Sequence, residues 1–220
     1  MATTTAMCTQ FKQDLLQAKH CFNAPVIKTG ATGTSAAFAL TTLSNVTGIS
    51  VGMIASGTNI ATNAVVASID STTGVTLSKA HTGTVTAGSI TFTGDVFKIA
   101  LIKVAPAGTY GVASVNYSDI TGNTDEVTGT GYTAGGVALT NVTPTVSGTT
   151  AFTDFTPDPS WTTASFSTTA CMIYNSSQRG ETINRAVSTH DFGGTQTVSS
   201  GTFTAVMPTP DASNAILRLA

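Results

Sequence analysis

The sequence predicts an all-β fold: a jelly-roll-like or β-sandwich core domain with a short N-terminal helix and a small inserted β domain. Three observations predict it. From residue 151 onward, runs of β-branched, aromatic and small residues (151–155, 160–166, 170–175, 185–192, 201–207 and 214–220) are fenced by Gly, Pro, Asn or Asp. That is the pattern of antiparallel strands joined by tight turns. Helical periodicity is confined to one segment near the N-terminus. Charged residues make up only 9 % of the chain, against about 25 % in a typical soluble domain. Thr, Ser, Gly and Ala take their place, so much of the surface must be hydroxyls and small apolar groups.

The helical segment is 11–19. Phe11, Leu15 and Leu16 make a narrow apolar stripe, with Lys12, Gln13 and Lys19 on the other sides. Thr9 suits an N-cap, and a helix this short holds only when docked. Residues 1–9 ahead of it read as a free tail, or as an arm that orders on a neighbour. Asn23 and Pro25 end the segment. Across 28–93 the aromatics dwindle to Phe38 and Phe92. Here 48–57 reads as strand, turn, strand, and 64–69 with 74–78 as a hairpin joined through Asp70 and Thr73. The stretch 85–92 closes the unit. With few large side chains, this module is expected to need support from its neighbours.

Residues 95–104 form a near-continuous apolar run, as in a strand covered on both faces. Lys98 and Lys103, five apart, fall on opposite faces. Residues 109–133 read as loop, and 135–142 and 145–155 as strands. Pro157 and Pro159 interrupt the ladder before Trp161. Seven to nine short strands from Val96 onward imply a sandwich or a jelly-roll-like barrel.

The same composition speaks against several function classes. A net charge of -2 without a Lys/Arg cluster argues against nucleic acid. No apolar run approaches the roughly 18 residues needed to span a bilayer. Residues 1–10 lack the basic start and apolar middle of a secretion signal, so the mature chain is expected to begin there and fold in a cytoplasm. Cys8, Cys21 and Cys171 are odd in number and far apart, as expected of reduced thiols. Four Asn-X-Ser/Thr triplets, at Asn45, Asn116, Asn141 and Asn175, are expected by chance in so Thr- and Ser-rich a chain.

Candidate chemistry is sparse. Ser188 and His190 share a strand face, but Asp191 lies on the opposite one and cannot orient the ring, and no nucleophile elbow is present. His20, His81 and His190 are too scattered for a zinc site. Residues 30–35 resemble a phosphate loop without its lysine and read as a flexible linker. Gly129 to Gly136 looks like a dinucleotide fingerprint with no helix after it. Asp119, Asp125 and Glu126 do not have EF-hand spacing. Arg179, Glu181 and Arg185 read as a solvated hairpin tip. No catalytic, cofactor-binding or metal-binding residue is therefore expected, nor a small-molecule substrate.

Several stretches resemble a family of small virion proteins of tailed bacteriophages. They are residues 11–16, Asp95-Val-Phe-Lys-Ile-Ala-Leu101, Glu126-Val-Thr-Gly-Thr-Gly-Tyr-Thr-Ala-Gly-Gly136, residues 152–161, Met172-Ile-Tyr-Asn175, residues 186–194 and Ala215-Ile-Leu-Arg-Leu-Ala220. In that family the first two usually lie close together, so 28–93 reads as an insertion, itself similar to Gly/Thr-rich β repeats of phage structural and adhesion proteins. The expected division is an arm and helix (1–27) belonging to the core domain, an inserted β domain (28–93) and the core domain proper (94–220). The resemblance implies a non-enzymatic capsid decoration, or cement, protein. It would sit on the head surface, after host-cytoplasmic assembly, with the major capsid protein and copies of itself (dimer or trimer) as partners. Residues 1–10 and strand edges would make the contacts. The alternatives are a neck, tail or fibre component, or a carbohydrate- or host-binding module using Trp161 or Tyr132 as a stacking platform.

Overall fold

The computed structural model describes residues 2–177 and 183–220. The chain divides into two compact units, one of residues 1–20 with 96–220, the other of residues 21–95. The interrupting unit thus begins at Cys21 rather than at residue 28. In chain order the elements are β1 (Ala6–Met7), α1 (Thr9–Leu16), β2 (Val26–Gly33), β3 (Ala39–Leu40), β4 (Ile54–Ser56), β5 (Ala64–Ser71), β6 (Gly74–Leu77) and β7 (Val85–Thr93). They continue with β8 (Phe97–Lys103), α2 (Ser118–Gly122), β9 (Val137–Leu139), β10 (Thr145–Ser147), β11 (Thr150–Thr153), β12 (Ser160–Asn175), β13 (Arg185–Thr204) and β14 (Leu217–Leu219). The fold is all-β, with antiparallel pairing between the strands.

The first unit is sandwich-like. A five-stranded sheet has the order β1-β13-β12-β8-β9, and a three-stranded sheet the order β10-β11-β14. β8 is an interior strand of the larger sheet, between β12 and β9, with Phe97, Ile99, Ala100, Leu101 and Ile102 all buried. That is why its sequence is apolar without alternation. Phe97 meets Phe155, which follows β11, at a ring separation of 5.5 Å. β12 and β13 are longer than the sequence predicts. The runs legible in the sequence leave breaks at residues 167–169 and 193–200, yet each strand continues through. The irregularities are absorbed as register shifts, such as those after Trp161, Ala164 and Thr168, and an extra residue in one strand kinks a ladder without ending it. Within the expected loop 109–133 a short helix, α2, forms instead of unbroken coil.

The N-terminal segment is not a free tail. Ala6 and Met7 pair with Thr189 and Ser188 of β13. The Thr4 N–H donates to the Tyr110 carbonyl at 2.9 Å, and Thr189 Oγ1 donates to the Thr4 carbonyl at 2.7 Å. α1 is capped by Cys8 rather than Thr9. It also presents a different face from the one expected: Phe11 and Asp14 are buried, while Leu16 is 92 % exposed. Asp14 is drawn inward by Arg185, whose Nε lies 3.3 Å away, by Lys19 at 3.5 Å and by Gln10 at 3.1 Å. A buried carboxylate is tolerated only when so partnered. Arg179 and Glu181 lie outside the described residues, so only Arg185 of the expected hairpin tip can be placed.

The second unit is a closed barrel. Its strand order is β2-β7-β4-β5-β6-β3, and Thr32 and Thr41 then exchange backbone hydrogen bonds of 2.9 and 2.8 Å, returning the sheet to β2. The Ser44 N–H donating to the Thr29 carbonyl at 2.9 Å extends this seam. Residues 30–33, expected to be linker, are therefore strand. The 48–57 stretch holds only one strand, β4, after a turn. Leu40, Leu43, Met53, Val66, Leu77, Ile90 and Phe92 fill the interior, so the module has a core of its own. Small side chains suffice because a six-stranded closure leaves little volume to fill. The two ends of the unit are clasped: Cys21 N–H donates to Asp95 Oδ2 at 3.0 Å, and Asp95 N–H to the Cys21 carbonyl at 2.7 Å.

Candidate functional site

Ser188 and His190 do meet. They lie on β13 with their side chains on one face, and Ser188 Oγ is 2.9 Å from His190 Nε2. His190 lines two adjoining crevices between the sheets of the first unit, of about 360 and 510 Å³, both reaching Thr5, Ile216 and Arg218. Two observations weaken this pair as a nucleophile and base. Burial pushes the imidazole down to about 4, leaving it a poor base near neutral pH. Among the described residues no carboxylate is bonded to the ring, and Asp191 spends Oδ1 on the Gly193 N–H at 3.0 Å.

The three carboxylates considered for calcium face different partners. Asp119 Oδ2 accepts the backbone N–H groups of Val115 and Asn116 at 2.7 and 3.2 Å. Asp125 accepts from Ala107, Gly108 and the Tyr110 hydroxyl at 2.9, 2.7 and 2.5 Å, and pairs with Lys103 at 3.0 Å. Burial alone would raise the Asp125 pKa, but these donors outweigh it and hold the carboxyl well below the usual range. Glu126 accepts from the Tyr117 and Tyr132 hydroxyls at 2.5 and 2.7 Å and from the Gly135 N–H at 2.6 Å. Among the described residues no group of three His, Cys, Asp or Glu is placed to hold a metal.

The glycine motif 129–136 serves packing. Gly136 has φ +67°, and a Cβ there would fall 1.8 Å from the Ile99 carbonyl oxygen. Gly129, at φ +153°, would likewise meet the Ser165 carbonyl at 2.4 Å. The loop is pressed onto β8 and β12, which only glycine permits, and Thr130 bridges to Ser165 there.

Trp161 is only 3 % exposed, enclosed by Tyr132, Phe166 and Phe203 at centroid distances of 6.2, 6.4 and 5.7 Å. It presents no open face, and the Tyr132 hydroxyl is committed to Glu126. The stacking platform therefore fails for Trp161, while Tyr132 is half-buried. Cys8, Cys21 and Cys171 are buried thiols outside any disulfide, and burial pushes the Cys8 and Cys171 thiols up to about 12. His20 Nδ1 lies 2.8 Å from the Asn175 amide, and His81 Nδ1 lies 3.2 Å from the Thr34 carbonyl.

The sequence reading did not single out the outer edge of β13. β1 covers that edge only at Ser188 and Thr189. Beyond it, among the described residues, β12 is the only strand paired with β13. Thr195, Gln196, Thr197 and Ser199 are exposed. The signal was present in the sequence, as the stretch Phe192 to Thr204 with neither charge nor proline, but finding an edge requires the sheet order. Comparisons of the chain with family models, curated proteins and solved structures gave no match.

Proposed function

We propose that the chain is a non-enzymatic structural protein of a tailed-bacteriophage virion, a capsid decoration protein that binds the outside of the head and bridges major capsid proteins. The observation that carries this reading is where the family-like segments fall. They supply most of β8, the ends of β12, the first half of β13 and the Glu126–Gly136 loop locked onto β8 and β12, parts of the framework of the first unit. A surface rich in hydroxyls and poor in charge suits wet contacts repeated over a lattice, where weak pairings add through avidity. Residues 2–7 are engaged on their own unit, so strand edges, rather than an N-terminal arm, are the contact surface in this proposal.

Particles assembled without the protein test it. They are expected to form normally and to lose resistance to heat or chelators; unchanged resistance argues against cementing. Quantifying the protein per particle separates decoration, at a copy number comparable to the capsid subunits, from a neck, tail or fibre part present as one small ring.

A further inference from the structure

The geometry points to the outer edge of β13, at Thr195 to Ser199, as the surface on which two copies of this chain pair strand to strand. An unpaired edge displays a row of N–H and C=O groups and so selects an extended strand as its partner. Two other margins of the chain are already occupied. The barrel closes on itself through Thr32 and Thr41, and β1 already occupies the β13 edge at Ser188 and Thr189. The proposed pairing continues that same edge past the seat of β1.

Three features make a second copy the partner. From Phe192 to Thr204 the strand holds no charged residue and no proline, so it lacks the lysines that keep edges apart and carries nothing that repels its own copy. An antiparallel edge is self-complementary about a two-fold axis, each N–H meeting a C=O, and such a contact closes as a dimer rather than growing into a fibre. The register is bounded on both sides. Gly193 and Gly194, with φ of 75° and 156°, bend the strand before it. Ser200, with φ 48° and its N–H turned to Ser165 Oγ at 2.9 Å, bulges after it. The flat stretch between is centred on Thr197, which places Thr197 opposite itself and Thr195 opposite Ser199 of the other copy. A pairing this short covers far less than the roughly 1,200 Å² of a stable interface, so it populates mainly where copies are concentrated, as on a lattice.

This names the self-contact within the structural-protein reading, but it is tested on the purified full chain and can fail or hold apart from any virion role. Sedimentation at high protein concentration is compared for wild type, Thr195→Lys/Ser199→Lys and Thr195→Lys/Ser199→Glu; all the altered positions are exposed, and unchanged thermal melting checks the fold. The wild type is expected to self-associate and the double-lysine chain to be monomeric. The Lys/Glu chain, whose opposite charges face each other only in this register, is expected to associate again. In parallel, Thr197→Cys is expected to form an oxidised dimer well above the level of Thr162→Cys, since the native thiols are buried. A wild type that stays monomeric and gives no excess Thr197→Cys dimer overturns the inference, as does a Lys/Glu chain no more associated than the double-lysine one.

Discussion

The barrel of residues 21–95 and the sandwich of the other unit manage sheet edges in different ways. In the barrel every strand has a neighbour on each side, because a short seam at Thr32 and Thr41 joins the first strand to β3. Its core is mainly aliphatic, and its polar bonds include hydroxyl-to-backbone contacts such as Thr42 Oγ1 to the Gly30 carbonyl at 2.6 Å. The sandwich keeps open edges, and its core mixes aromatic rings with buried carboxylates at Asp14 and Asp125. Closure removes the sites where another chain could pair. The difference teaches that stability and contact are assigned to different units: the barrel holds its shape without exposing backbone, while the sandwich spends polar networks on rigidity and leaves β13 free.

Variants that break each unit should show this division. The largest loss is expected from Phe97→Ala, which empties the site against His20 and Phe155 and should cost about 3–5 kcal/mol, read by chemical denaturation. Asp125→Ala strands the Ala107 and Gly108 N–H groups and the Tyr110 hydroxyl, for a loss of about 3 kcal/mol. The same carboxylate, held below its ordinary 3.8, contributes stability that is complete above that pH and is lost as pH falls further.

His190 gives a second pH signature in the sandwich. Its value in the folded chain, about 4, lies below the ordinary 6.5, so as pH falls the unfolded chain takes up the proton first. Stability is then full above about pH 6.5 and declines toward pH 4, by up to about 3 kcal/mol. His190→Gln should flatten that slope in melts recorded across the range. The smallest effect belongs to the barrel seam, where Thr42→Ala, by removing the bond to Gly30, should cost about 1 kcal/mol.

The sequence made β8 legible because an unbroken apolar run has one good explanation in a β protein. The β5–β6 hairpin was legible because its turn chemistry is local. Closure of the barrel was not, since it rests on two threonines indistinguishable by composition from the many others. The α1 face was misread because periodicity counts apolar residues, whereas Asp14 is held inside by Arg185, far away along the chain. Ser188 and His190 could be placed on one face from strand alternation alone, but the burial that depresses the imidazole depends on packing that no local pattern encodes.

Amide hydrogen exchange on the dilute, monomeric protein tests the contrast between the units most directly. Thr32 and Thr41 should exchange as slowly as amides in the middle of the barrel, while alternate amides from Thr195 to Ser199 exchange fast and slow down as concentration rises. Rapid exchange at Thr32 and Thr41, or uniform protection of Thr195 to Ser199 in the monomer, would contradict the account of one closed barrel and one open-edged sandwich.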